Sequence, residues 1–211
     1  MATPAQPSYF LEFDEAEHRY FVDGEEKLSV TTILKHAGLV DTTWFTEFGR
    51  WRGSAVHKAT QYLDEGDMDR RTLDPIVKPF VADWVDFKKK TGFIATEIEQ
   101  RGYDPIYDYC GTFDRIGYFA QEHEKYERAT ADVLIDLKTY PSGQIPFWVR
   151  YQLAAYGRMR DPKRIWRRIA CVLTGDGANI IEYAQKDYLS DVNKFLACAV
   201  VARIKQEQYL I

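Results

Sequence analysis

The run Asp132-Val-Leu-Ile-Asp-Leu-Lys138 restricts this chain more than any other stretch. Its β-branched and aliphatic residues read as a strand, and a strand sends alternate side chains to opposite faces. Val133, Ile135 and Leu137 then share one apolar face, while Asp136 and Lys138 lie together on the other. A carboxylate and an ammonium on a buried strand need partners. The preceding Gly111-Thr-Phe-Asp-Arg-Ile116 also has strand character, and it supplies Asp114 if the two strands are neighbours. Adjacent carboxylates repel unless a cation lies between them, and oxygen donors of this kind suit a hard ion such as Mg²⁺ or Mn²⁺. The rival explanation is a plain ion pair between Asp136 and Lys138, with Asp114 held by Arg115 or a turn amide. A lone D-x-K does not separate the two.

At 211 residues, with 45% hydrophobic and 15% aromatic content, the chain can fill one core and is too apolar for wholesale disorder. The expected organisation is a single domain over 1–211, with a strand pair and short helix in 1–40 as an N-terminal appendage. No apolar run of about 18 residues suggests a membrane span, and the first residues lack the order of a signal peptide. A cytoplasmic protein with no membrane partner is therefore expected. Cys110, Cys171 and Cys198 have no C-x-x-C spacing, so neither a disulfide framework nor a zinc or iron–sulfur cage is indicated. The net charge is −4, yet residues 150–168 carry seven basic side chains against the single acid Asp161. Such a local excess attracts phosphates within a Debye length of roughly 10 Å, whatever the total. Arg150, Arg158, Arg164 and Arg168 are accordingly candidate DNA contacts, although a solvated helix face explains the same charge equally well.

Alternation from Tyr9 to Leu28, around Asp14-Glu15 and Asp23-Gly24, predicts two or three short antiparallel strands. Ser29 then caps a short helix, Val30 to Ala37, closed by Gly38. Helical spacing from Thr43 to Asp64 is interrupted at Gly53-Ser54, so one helix should end there and Ser54 should cap another. His57 sits in the first turns of that second helix, with Gln61 one turn on. Trp44, Phe45 and Trp51 are expected in the core rather than as stacking platforms. Asp74-Pro75 starts a scaffold helix that stops at Gly92. Phe93 to Arg101 is a strand with Glu97 and Glu99 on one face, Ile106 to Phe119 is the Asp114 strand, and Ala120 to Ala131 is a charged connection. A helix from Phe147 to Met159 puts Gln152 and Tyr156 on one face. Arg164 to Thr174 and Asn179 to Ala184 read as a hairpin, and Asp187 caps a last helix that packs on the sheet. The predicted fold class is α/β (α+β), a central mixed β-sheet flanked by helices.

Taken together, Gly53-Ser-Ala-Val-His57, Glu97, Gly111-Thr-Phe-Asp-Arg-Ile116, Ile135-Asp-Leu-Lys-Thr139 and Gln152-Leu-Ala-Ala-Tyr156 resemble the PD-(D/E)xK nuclease superfamily. Within it, the RecB-like branch with its phage-type exonucleases is the most similar. The resemblance covers His57 to Tyr156. Each motif alone is weak, and it is their shared order and spacing that carry weight. The resemblance implies a restriction-endonuclease-like core and a deoxyribonuclease dependent on one or two Mg²⁺ or Mn²⁺ ions. His57, Asp114, Asp136 and the Leu137 carbonyl would be the metal ligands. Asp114, Asp136, Lys138, Gln152 and Tyr156 would be the catalytic set, with Lys138 facing the attacking water and Gln152 and Tyr156 contacting the substrate strand. Glu97 would be an additional acid unless Glu99 takes its place. Some relatives hold an iron–sulfur cluster on four cysteines, and this chain, with three, is expected to lack it. The implied partner is DNA, single- or double-stranded, with a free end, alongside a recombination protein or a second copy. The implied setting is the bacterial cytoplasm, with a phage or bacterial origin. A structure-specific endonuclease, or a non-catalytic DNA-binding module on the same fold, are the alternatives.

Overall fold

The computed structural model describes residues 9–41, 43, 45–120 and 132–208. Trp44 and nearly all of the charged connection after Ala120 lie outside the described residues. Strands β1 (Leu11–Asp14), β2 (Arg19–Val22) and β3 (Glu25–Lys27) form an antiparallel three-stranded sheet. Asp23 and Gly24 take left-handed backbone, φ 50° and 84°, as a two-residue hairpin turn demands. In helix α1 (Val30–His36) the Ser29 hydroxyl accepts from the Thr32 amide, and Gly38 is left-handed just beyond the end. This helix is no appendage, because Val30, Ile33 and Leu34 are buried within the main core.

Helix α2 (Glu47–Glu65) runs unbroken through Gly53 and Ser54, which corrects the expectation of two helices. Its cap is Thr46, whose hydroxyl accepts from the Gly49 amide at 2.9 Å. One interior glycine costs about 1 kcal/mol, too little to end a helix whose next turns carry Val56 and Thr60 into the core. Asp74 caps a turn rather than a helix, accepting from the Ile76 amide at 2.7 Å, and helix α3 (Lys78–Thr91) starts after it without a side-chain cap. Its stripe of Phe80, Val81, Trp84 and Phe87 is buried. Burying a side chain of this size contributes about 1.5–3 kcal/mol against about 1 for a cap, so the stripe decides where the helix lies.

The remaining strands and α-helices described are β4 (Phe93–Asp104), β5 (Tyr109–Phe119), β6 (Asp132–Lys138), α4 (Val149–Arg160), β7 (Arg167–Leu173), β8 (Ala178–Tyr183) and α5 (Tyr188–Glu207). The five strands form one sheet in the order β4-β5-β6-β7-β8, in which only β6 and β7 are parallel. Two parallel neighbours need a crossover, and α4 supplies it. Val133, Ile135, Leu137, Ile169 and Cys171 face α2 and α3, while Leu134, Ile116 and Ala170 pack with α1, α4 and α5. The fold is thus the predicted mixed sheet flanked by helices. Two expectations about α5 need correction. Asp187 stands at the cap position but its carboxylate goes to Arg150 Nη2 at 3.3 Å, with no capping bond. The helix packs mainly on α1 and α4 rather than on the sheet, which it reaches through Phe195 against Tyr109 at 4.9 Å between ring centres. No helix among the described residues is long and apolar enough to cross a membrane.

Candidate metal centre

Strands β5 and β6 pair from Tyr118–Asp132 to Arg115–Ile135, and the register stops there. The next residues are Asp114 and Asp136. Where a further ladder bond would form, the Leu137 amide donates to Asp114 Oδ2 at 2.6 Å. Both acids are buried, at 8% and 1% exposure.

Helix α2 brings His57 over this parting of the strands. His57 Nε2 lies 3.1 Å from the Leu137 carbonyl, a contact that makes Nε2 the donor and turns Nδ1 toward the acids. Nδ1 is 3.7 Å from Glu99 Oε1 and 3.7 Å from Asp114 Oδ1. Donor atoms of His57, Glu99 and Asp114 all lie within 4.8 Å of one another. An imidazole oriented by a backbone carbonyl and facing two carboxylates fits a divalent cation, and the mixed nitrogen and oxygen donors do not select among such cations.

Glu99 enters the group because β4 is irregular. The strand bulges between Ala95 and Glu97, and Glu99 adopts φ 49°. Strict alternation fails there, so the two acids expected on one face separate. Glu97 forks onto Arg160, with contacts of 2.8 to 3.2 Å, and is not part of the donor group. Glu99 turns inward and accepts from Arg115 Nη1 at 2.7 Å. A left-handed non-glycine residue costs on the order of 1–3 kcal/mol, and the wholly buried Arg115 holds it in place. The same guanidinium donates to Asp64 Oδ2 at 2.7 Å, to the Asp114 carbonyl at 2.7 Å and to Thr60 Oγ1 at 3.2 Å. Asp64 also accepts from the Trp84 indole and the Lys88 ammonium. No period-2 pattern reveals a positive φ. The readable signal was Arg115 itself, a cation in a buried strand that requires acids around it.

The charges in this site are mutually strained. Burial, reinforced by the neighbouring Asp136 and Glu99, pushes Asp114 up to about 6 against the pull of His57. Burial disfavours the charged form of His57, yet Asp114 and Glu99 outweigh it and hold its pKa above the usual value. Burial likewise opposes ionisation of Glu99, but His57 and Arg115 keep its pKa low. Asp114, the carboxyl of this group that burial makes hold its proton more tightly, is the one whose ionisation a bound cation would favour.

Lys138 Nζ lies 2.7 Å from Asp136 Oδ2, so the ion pair of the rival explanation exists. It coexists with the donor group rather than replacing it. Of the expected ligands, His57 and Asp114 converge with Glu99, Asp136 is paired with Lys138 beside them, and the Leu137 carbonyl is taken up by His57. On α4, Gln152 Nε2 donates to Tyr156 Oη at 3.1 Å and to Thr31 Oγ1 at 3.2 Å. Its Oε1 is buried with no partner among the described residues. A Cβ on Gly111 would come within 2.7 Å of the Tyr156 ring, so that glycine makes room for the tyrosine. His57, Glu99, Asp114, Asp136, Lys138, Gln152 and Tyr156 all line one cleft of ≈ 1120 Å³.

The basic segment does not join them. Arg168 is wholly buried and paired with Asp191 at 2.9 Å. Arg150 binds Asp191 and Asp187, Arg158 binds Asp104 at 3.1 Å, and Arg164 binds Asp132 at 3.0 Å. Burial takes Arg168 out of the expected phosphate-gripping set, and Arg150, Arg158 and Arg164 each neutralise acids brought in from β4, β6 and the start of α5. Phe45 and Trp51, expected in the core, are 37% and 44% exposed. Cys110, Cys171 and Cys198 are free thiols on β5, β7 and α5. No family model matches the chain, and a comparison with characterised proteins returns no match.

Proposed function

We propose that this chain is a divalent-metal-dependent nuclease of the PD-(D/E)xK type that hydrolyses phosphodiester bonds in DNA from a free end. The observation that carries the reading is the convergence of His57, Glu99 and Asp114 beside the Asp136–Lys138 pair in one cleft. His57, Glu99 and Asp114 would hold the ion, with Asp136 next to them. When bound, Mg²⁺ or Mn²⁺ supplies Lewis acidity and neutralises charge developing on the phosphoryl oxygens. Burial works against the charge on Lys138, but Asp136 and Asp114 raise its pKa, so it serves as a cation that orients water and stabilises the phosphoryl group rather than as a base. Burial, with Asp136 adding to it, holds the Tyr156 phenol far above its usual pKa, which keeps it a hydrogen-bond donor to the strand. Gln152 donates through Nε2 to Tyr156 Oη and so holds that phenol in place.

The 2.7 Å Asp136–Lys138 pair also supports a second reading, a nucleic-acid-binding module without catalysis. Incubation with Mg²⁺ or Mn²⁺ of end-labelled linear duplex, linear single strand and closed circular DNA separates the readings. We expect the linear species to be degraded and the circle to persist. Asp114→Asn should lose a hundredfold or more, about 2.7 kcal/mol of barrier. Cleavage that survives exhaustive chelation overturns the metal reading, and binding of DNA with no cleavage under either ion favours the module.

A further inference from the structure

The amino-terminal half of α2 is poorly covered. Phe48 and Trp51, one turn apart, are 53% and 44% exposed, and their rings stack at 5.7 Å with 30° between planes. The guanidinium of Arg52 lies over the Phe48 ring at 5.8 Å and donates to the Thr139 carbonyl, which ties this edge to the end of β6. Arg50 is exposed and has no ion pair among the described residues. Lys58, beside His57, contacts Gln61 and the Tyr62 ring and has no carboxylate partner among the described residues. Arg50 and Lys58 both line the metal cleft, on the same helix that carries His57. Phe48 and Trp51 lie outside the lining of that cleft, and solvent-facing aromatic rings on the helix whose cations line it, cations with no acidic partner among the described residues, match what an unpaired nucleic-acid strand requires. Its bases expose π-faces that stack, and its phosphates seek cations. A duplex hides those faces in its own stack.

We infer that residues 45–58 form a rail for a single strand, with bases stacking on Phe48 and Trp51 and phosphates on Arg50 and Lys58, which delivers the strand to His57. This rests on the nuclease reading for the direction of delivery, but not for the binding itself. The test is fluorescence anisotropy in EDTA with a labelled oligothymidylate, an abasic strand of equal length and a blunt duplex, alongside Mg²⁺-dependent cleavage of linear DNA. The oligothymidylate should bind about tenfold or more tightly than the abasic strand, and Phe48→Ala with Trp51→Ala should erase that preference. Arg50→Ala should weaken both strands alike and reduce the salt slope by about 0.7. These side chains are exposed, and unchanged melting curves establish that the variants fold. Equal affinity for the two strands in a protein that cleaves overturns the rail and leaves the nuclease reading. Base-dependent binding without cleavage keeps the rail and overturns the nuclease reading. Self-association that the double aromatic variant abolishes overturns the rail by assigning the rings to a contact between copies.

Discussion

Residues 150–168 and residues 45–58 relate charge to its use in opposite ways. The first segment has seven basic residues. Arg150, Arg158, Arg160, Arg164 and Arg168 are all tied to acids of the fold. The second has three, Arg50, Arg52 and Lys58, and none has an acidic partner among the described residues. A surface for phosphates is defined by cations that the fold leaves uncompensated, not by their density along the chain. Asp191 lies far beyond Arg168 in sequence, so their 2.9 Å pairing is invisible to a local charge count.

The sharpest way to break this contrast is Asp191→Ala. Its carboxylate, wholly buried, sits between Arg150 and Arg168. Removing it strands a buried guanidinium and should cost about 3–5 kcal/mol in urea unfolding. A loss below about 1 kcal/mol would show that water reaches Arg168 and that the segment is not consumed by the fold.

Next in size is Lys138→Ala, which should lower turnover about a hundredfold, or about 2.7 kcal/mol. Mn²⁺ affinity measured by calorimetric titration should be unchanged or higher, since a cation beside the site has been removed. Wild-type turnover in this variant would return Asp136 and Lys138 to the status of a structural pair.

The donor group also has a pH signature. Asp114 and His57 both bind protons more tightly in the folded than in the unfolded state. Their contribution to stability is therefore lost as pH rises through about 6 and the His57 range above it. Glu99, held low, changes stability only at more acid pH. Mn²⁺ competes with those protons, so its effect on Tm should be larger at about pH 8 than at about pH 5.5. An equal shift at both values, read by differential scanning fluorimetry, would remove Asp114 and His57 from the ligand set.

The smallest effect is expected from Arg160→Ala and Arg164→Ala. Their ion pairs are partly solvated, at 46% and 21% side-chain exposure of the arginine. Each change should cost about 1 kcal/mol or less and leave the salt dependence of DNA binding as it was. A reduced slope in this pair would restore the basic segment as a phosphate surface.

Much of the fold and part of the site could be read in the residues themselves. Alternation in Asp132–Lys138 oriented Asp136 and Lys138, Gly24, Gly38 and Gly92 marked turns and helix ends, and apolar spacing located α3, because these signals act within a few residues of where they are written. The unbroken α2 was not legible, since Gly53 costs little against packing supplied from elsewhere. The same holds for Glu99. Its place beside His57 depends on a positive φ stabilised by Arg115, and Arg115 is in turn fixed by Asp64 from α2. Residues that line a site by alternation are determined by sequence alone. Those that enter it through buried ion pairs between distant elements are decided only when the tertiary structure brings the partners together, because desolvated charge must find its counter-charge wherever the fold provides one.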